Sequence, residues 1–173
     1  MNDFAVWLST TLPSVFIQNH EAWMIPVIQS LHIIGIGIVV GSALMLVLRV
    51  LGWVGTDQTL AESRRRYGPW LTGALYLLLA SGGLLIIAEP VRELVTVSFW
   101  MKMALVATVA VLAALFQSSV RRQEDRWEQS FAGRRGVRLT AVLVLFILGC
   151  IILLGRLIAY DHIWGHWSPA TKA

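Results

Sequence analysis

The sequence predicts an all-α, polytopic membrane protein, in which a four-transmembrane-helix up-down bundle follows an N-terminal interfacial helix. Three observations predict this fold class. Hydrophobic residues make up 57% of the 173 residues and charged residues only 14%, whereas a soluble domain carries roughly 25% charge to cover itself in water. The apolar residues lie in runs of about 20, the length of a helix that crosses a bilayer. Basic residues concentrate in the loops between alternate runs.

Four apolar runs are the predicted spans, and they are too long for the alternating strands of a membrane barrel. They cover about residues 24–51, 69–88, 97–117 and 137–160. Together they form one transmembrane domain over residues 23–160. A periplasmic interfacial segment at residues 1–22 precedes this domain, and a periplasmic tail at residues 161–173 follows it.

The interfacial segment is apolar from Phe4 to Ile17 but is interrupted by hydroxyl residues and by Pro13. Its first residues include Asp3 and no basic residue, unlike the start of a cleavable signal peptide. We therefore expect one short helix near residues 4–16, lying in the interface at the outer face of the membrane.

Two local signals precede the second span. Thr59 and Glu62 have the spacing of a capping box, which predicts a short amphipathic helix that ends at Arg66. Pro69 stands at the start of the apolar run, and proline is favoured at the first position of a helix. The second span is therefore expected to begin at Pro69.

The basic residues predict which side of the membrane each loop occupies. The loops after the first and third spans hold ten of the fourteen Lys and Arg residues and five acids, a net charge of +5, and the opposite side carries −1. Because positive loops stay in the cytoplasm, both termini are expected in the periplasm of a bacterial inner membrane. The eight tryptophans fall near the two boundaries, as an interfacial belt does. The basic charge therefore anchors the protein in its membrane and predicts no nucleic-acid partner.

Ionisable residues inside a membrane are costly and count as functional candidates. The spans contain His32, Lys102 and Arg156, and the predicted topology places all three in the outer half of the bilayer. In one interpretation they converge inside the bundle; in the other, Lys102 and Arg156 extend outward to the interface. His32 shares a helix face with Gln29 and Gly35. It is expected either to make a structural hydrogen bond, for example to Gln29, or to bind a ligand.

Three further candidates lie at the end of the fourth span. Tyr160 follows Arg156 by four residues and shares its helix face. His162 and His166 have the i, i+4 spacing that chelates a metal on a continuing helix, whereas Gly165 between them favours a fraying end. The single cysteine, Cys150, lies in an apolar run and is expected to pack there.

Several strings resemble the signatures of a family of small, four-span bacterial inner-membrane proteins that is classified as a domain of unknown function. They are Pro26–Gly35, Gly41-Ser42 with Leu48–Gly52, Phe99–Met103 and Gly155–Tyr160. The resemblance covers about residues 22–160. That family often has Glu at the position of Gln29 and His at the position of Gln117. The resemblance implies a four-span fold and no established activity.

Two functions compete for this pattern. The favoured one is a non-catalytic subunit or anchor of a larger membrane complex, in contact with lipid, with other membrane or periplasmic subunits or with copies of itself. A Gly-x-x-x-Gly at Gly37 and Gly41 would let another helix approach closely. The alternative is a membrane cytochrome b or quinone-binding electron-transfer protein. No constellation typical of a hydrolase, kinase or protease is present in the sequence, so an enzyme is not predicted.

The redox alternative assigns a role to each candidate residue. His32 would be the axial ligand of a haem b, and Lys102 and Arg156 would pair with the haem propionates. A quinone would use the same donors with fewer demands, and Gln29 and Tyr160 complete the predicted site.

Overall fold

The computed structural model describes residues 2–55, 57, 59–122 and 131–159. These residues form seven helices and no strand. The helices are α1 (Asn2–Ser9), α2 (Leu12–Asn19), α3 (Glu21–Leu51), α4 (Leu60–Ala88), α5 (Pro90–Leu94), α6 (Val97–Arg122) and α7 (Phe131–Ala159). The all-helical prediction is confirmed, and the predicted tail at residues 161–173 lies outside the described residues.

Three helices, α3, α4 and α7, are long and apolar enough to cross a membrane, and α6 holds a shorter apolar stretch at Val97–Ala113. Little of their apolar surface is covered by other helices, since at most 22% of each spanning window is buried. An apolar surface of this extent is stable in lipid and costly in water. The helices are therefore those of a membrane protein.

The N-terminal segment forms two helices where the sequence predicted one. α1 ends at Ser9, and Pro13 lies in the first turn of α2. A proline in the first turn costs no backbone hydrogen bond, but in the middle of one continuous helix it would remove one. Ala5 and Ile17 are buried, because α1 packs on α5 and α2 on α4.

The capping box at the start of α4 is confirmed. The Thr59 hydroxyl accepts a hydrogen bond from the Glu62 backbone N–H at 3.2 Å, and the Glu62 carboxylate accepts one from the Thr59 N–H at 2.7 Å. The helix does not end at Arg66, however, and Pro69 lies inside α4 rather than at its start. Pro69 removes one bond, to the carbonyl of Arg65, and the other bonds of this 29-residue helix continue across it.

α3 is the centre of the helix packing. It packs most extensively on α4 and also contacts α7, which in turn packs on α6. Gly35 packs against α4, since a Cβ there would lie 2.9 Å from Cδ2 of Leu78. The predicted close approach at Gly37 and Gly41 is absent within the described part of the chain, where nothing lies within 4 Å of either Cβ position.

Candidate functional site

His32 faces α4 and makes its hydrogen bond to a residue of that helix. Its Nδ1 lies 2.8 Å from Oγ of Ser81, and this Oγ lies 2.6 Å from the carbonyl oxygen of Leu77. The Ser81 side chain is buried and the His32 side chain is half-buried. Ser81, and not Gln29, is therefore the residue that holds the imidazole.

The two contacts of Ser81 determine which nitrogen of His32 carries the proton. Because a carbonyl oxygen only accepts, the Ser81 hydroxyl donates to Leu77 and accepts from Nδ1–H of His32. In a neutral imidazole the other nitrogen, Nε2, then carries a lone pair and accepts hydrogen bonds or binds a metal. No partner of Nε2 occurs among the described residues.

Gly82 provides the space that the imidazole occupies. A Cβ at Gly82 would lie 3.4 Å from Cε1 of His32, so the ring packs directly over the α4 backbone. The small residue after Ser81 thus lets His32 approach near enough for its hydrogen bond.

Lys102 and Glu93 lie on the same side of the molecule as His32. Lys102 is half-buried near the start of α6 and is close enough to act electrostatically on both His32 and Glu93. Burial raises the pKa of the Glu93 carboxyl above its ordinary value, although the positive charges of Lys102 and Arg92 oppose this shift. Arg92 itself forms an ion pair with Glu89 at 2.7 Å.

The structure describes four of the predicted site residues, and their convergence stays a prediction. Lys102 lies within electrostatic range of His32. Gln29 is half-buried one turn before His32, and the Arg156 side chain is exposed close to the end of α7. The last three candidates, Tyr160, His162 and His166, lie outside the described residues.

Sequence reasoning missed Ser81 and Glu93. A signal for Ser81 was present, since His32 lies eight residues from the outer end of the first predicted span and Ser81 seven from that of the second. Antiparallel helices bring such residues to the same depth. Glu93 gave no signal, because its burial depends on the short helix α5, which lies in a segment expected to be a loop.

The described side chains do not form a metal cage, since no three His, Cys, Asp or Glu residues among them cluster. Comparison with protein-family models, with curated proteins and with solved structures gives no match to this chain.

Proposed function

We propose that this protein is a four-span inner-membrane protein, with both termini in the periplasm, that binds a quinol or a haem b at His32. The observation that supports this proposal is the hydrogen bond that Nδ1–H of His32 donates to Ser81. Because Nδ1 is held by Ser81, the lone pair of Nε2 points away from that residue. Metal-binding and substrate-binding histidines commonly have one nitrogen fixed in this way.

A quinol makes the smaller demand on this site. One hydroxyl of its ring would donate a hydrogen bond to Nε2 of His32, and the ammonium of Lys102 would donate to an oxygen of the ligand. The ligand would reach the half-buried imidazole from the lipid phase. Nε2 of His32 would hold the iron of a haem and the ammonium of Lys102 would pair with a propionate, while Met24, Met101, Met103 or His162 would supply any further protein ligand.

The proposed topology rests on the charge of the loops, with +5 on one side and −1 on the other. With this topology His32 and Lys102 would lie in the periplasmic half of the bilayer, near the interface where quinol head groups reside.

An absorption spectrum of the purified protein separates the two ligands, because only haem gives a Soret band. If the band is absent, binding of a short-chain quinol is measured for the parent protein and for His32→Gln. His20→Gln is the matched control, since the Nδ1 of His20 pairs with the Phe16 carbonyl at 2.9 Å outside the site. We expect His32→Gln alone to lose the ligand. A parent protein that binds neither haem nor quinol would refute the proposal.

A second function, that of a non-catalytic subunit or anchor, is favoured by the open face of α3. Gly37 and Gly41 are exposed, and small residues at this spacing let a helix from another chain approach closely. Native electrophoresis of the solubilised membrane should show a larger complex that Gly41→Leu dissociates. The matched control is Gly149→Leu, which also faces open space, and His32→Gln should leave the complex intact. A parent protein that migrates as a monomer would refute this function.

A further inference from the structure

Two adjacent cavities lie along the contact between α3 and α4, and their chemistry differs. The first has a volume of about 310 Å³ and an apolar lining that includes Ile38, Trp70, Gly73 and Leu77. The second has a volume of about 140 Å³ and a mixed lining, in which apolar side chains stand beside two arginines and two hydroxyl groups. Its side chains include Arg49, Ser63, Arg66 and Tyr67.

The two cavities follow one another along the same faces of α3 and α4, and we call the two together the groove. On α4 the lining residues recur every three or four positions from Ser63 to Leu77, and those of α3 share one face in the same way. Eleven residues separate Arg66 from Leu77, and eleven separate Arg49 from Ile38. At 1.5 Å per residue each distance is about 16 Å, close to half of the roughly 30 Å hydrocarbon core. The groove is therefore as long as one leaflet is deep.

The boundary end of the groove has the donors that a phosphate requires. Two guanidinium groups, from Arg49 on α3 and Arg66 on α4, line it together with the hydroxyls of Ser63 and Tyr67. Guanidinium matches phosphate oxygens in charge and in geometry. The interhelical loop supports Arg49, because Gly55 has a φ of +65° and a Cβ there would lie 3.6 Å from Cδ of Arg49.

We propose that this groove binds one anionic glycerophospholipid from the leaflet at the basic end of the helices. Its phosphate would lie between Arg49 and Arg66, and one acyl chain would follow the apolar lining past Trp70 and Gly73 to Leu77. An acyl chain would contact the apolar half of the groove, whereas a free phosphate ion would not. This half therefore favours a lipid as the ligand. The site is separate from His32 and does not depend on the ligand proposed there.

Native mass spectrometry tests this site after release of the protein from phosphatidylcholine nanodiscs with or without phosphatidylglycerol. We expect one phosphatidylglycerol to remain bound. Its retention should fall about fivefold in Arg66→Gln and by a similar factor again when Arg49→Gln is added, the usual effect of a basic residue near anionic lipid. Gly73→Leu, which fills the groove without a clash within 4 Å at Cβ, should also release the lipid.

Two control variants separate the groove from general surface charge and bulk. Arg65→Gln removes an exposed arginine of the same cluster that does not line the groove, and Gly149→Leu adds the same side chain to α7; both should retain the lipid. Equal loss in Arg65→Gln, equal retention of phosphatidylcholine, or full release of the lipid by inorganic phosphate would each overturn the proposal.

Discussion

Ser81→Ala is the sharpest test of how the protein orients His32. The change removes the oxygen that accepts from Nδ1 at 2.8 Å and donates to Leu77 at 2.6 Å, and it adds no atoms. A hydrogen bond between membrane helices contributes on average about 0.6 kcal/mol, so the protein should still fold. Loss of a residue that orients a ligating histidine, in contrast, costs about 10- to 100-fold in affinity.

The assay is a quinol titration, or a haem titration if a Soret band is present, on the parent, Ser81→Ala and Ser30→Ala. Ser30 donates to the Pro26 carbonyl at 2.7 Å, the same local bond, but has no histidine partner. The expected result is a 10- to 100-fold loss of affinity in Ser81→Ala and none in Ser30→Ala. An unchanged affinity in Ser81→Ala, with ligand lost in His32→Gln, would refute the role of Ser81 in orienting the imidazole.

Three further predictions concern stability in detergent. Because burial raises the pKa of Glu93 in the folded state, its contribution to stability is fully present below the ordinary glutamate pKa of about 4.3 and is lost as the pH rises through the folded-state pKa. The Tm of Glu93→Gln should therefore increase relative to the Tm of the parent as the pH rises. A Tm difference that does not change with pH would contradict this. Thr59→Ala should lower the free energy of unfolding by about 1 kcal/mol, as measured by denaturant titration. Thr108→Ala, at an exposed position of α6, is the neutral control. Gly35→Ala should cost at most about 1 kcal/mol, because the atom that its Cβ would meet is the far end of the flexible Leu78 side chain. This cost should be smaller in a Leu78→Ala background, and an equal cost in both backgrounds would exclude the contact.

The fold was predictable because the bilayer requires long apolar helices. The length of each run and its lack of charge predict α3, α4 and α7 directly, since backbone polar groups in lipid must be satisfied within the helix. The starts of elements were less predictable. Pro69 is typical of a first helical position, but the capping box at Thr59 begins the helix earlier and the backbone continues through the proline.

The candidate site was predictable in its ionisable members and not in its contacts. The cost of charge in a membrane identifies His32 and Lys102 from the sequence alone. The partner of His32 depends on the rotation of α3 against α4, which periodicity does not determine, so Gln29 was expected where Ser81 is found. The same rotation buries Gly35 against α4 and leaves Gly37 exposed.

The docking of α1 and α2 onto the ends of α4 and α5 has a consequence for biosynthesis. A chain is made from its N-terminus, so α1 and α2 leave the ribosome before the residues that bury Ala5 and Ile17 exist. α2 cannot dock until α4 has emerged and α1 cannot dock until α5 has emerged, and the side chains of Phe4, Trp7 and Phe16 remain exposed even in the finished protein. Both helices therefore reach their final places only after α3 and α4 have been made.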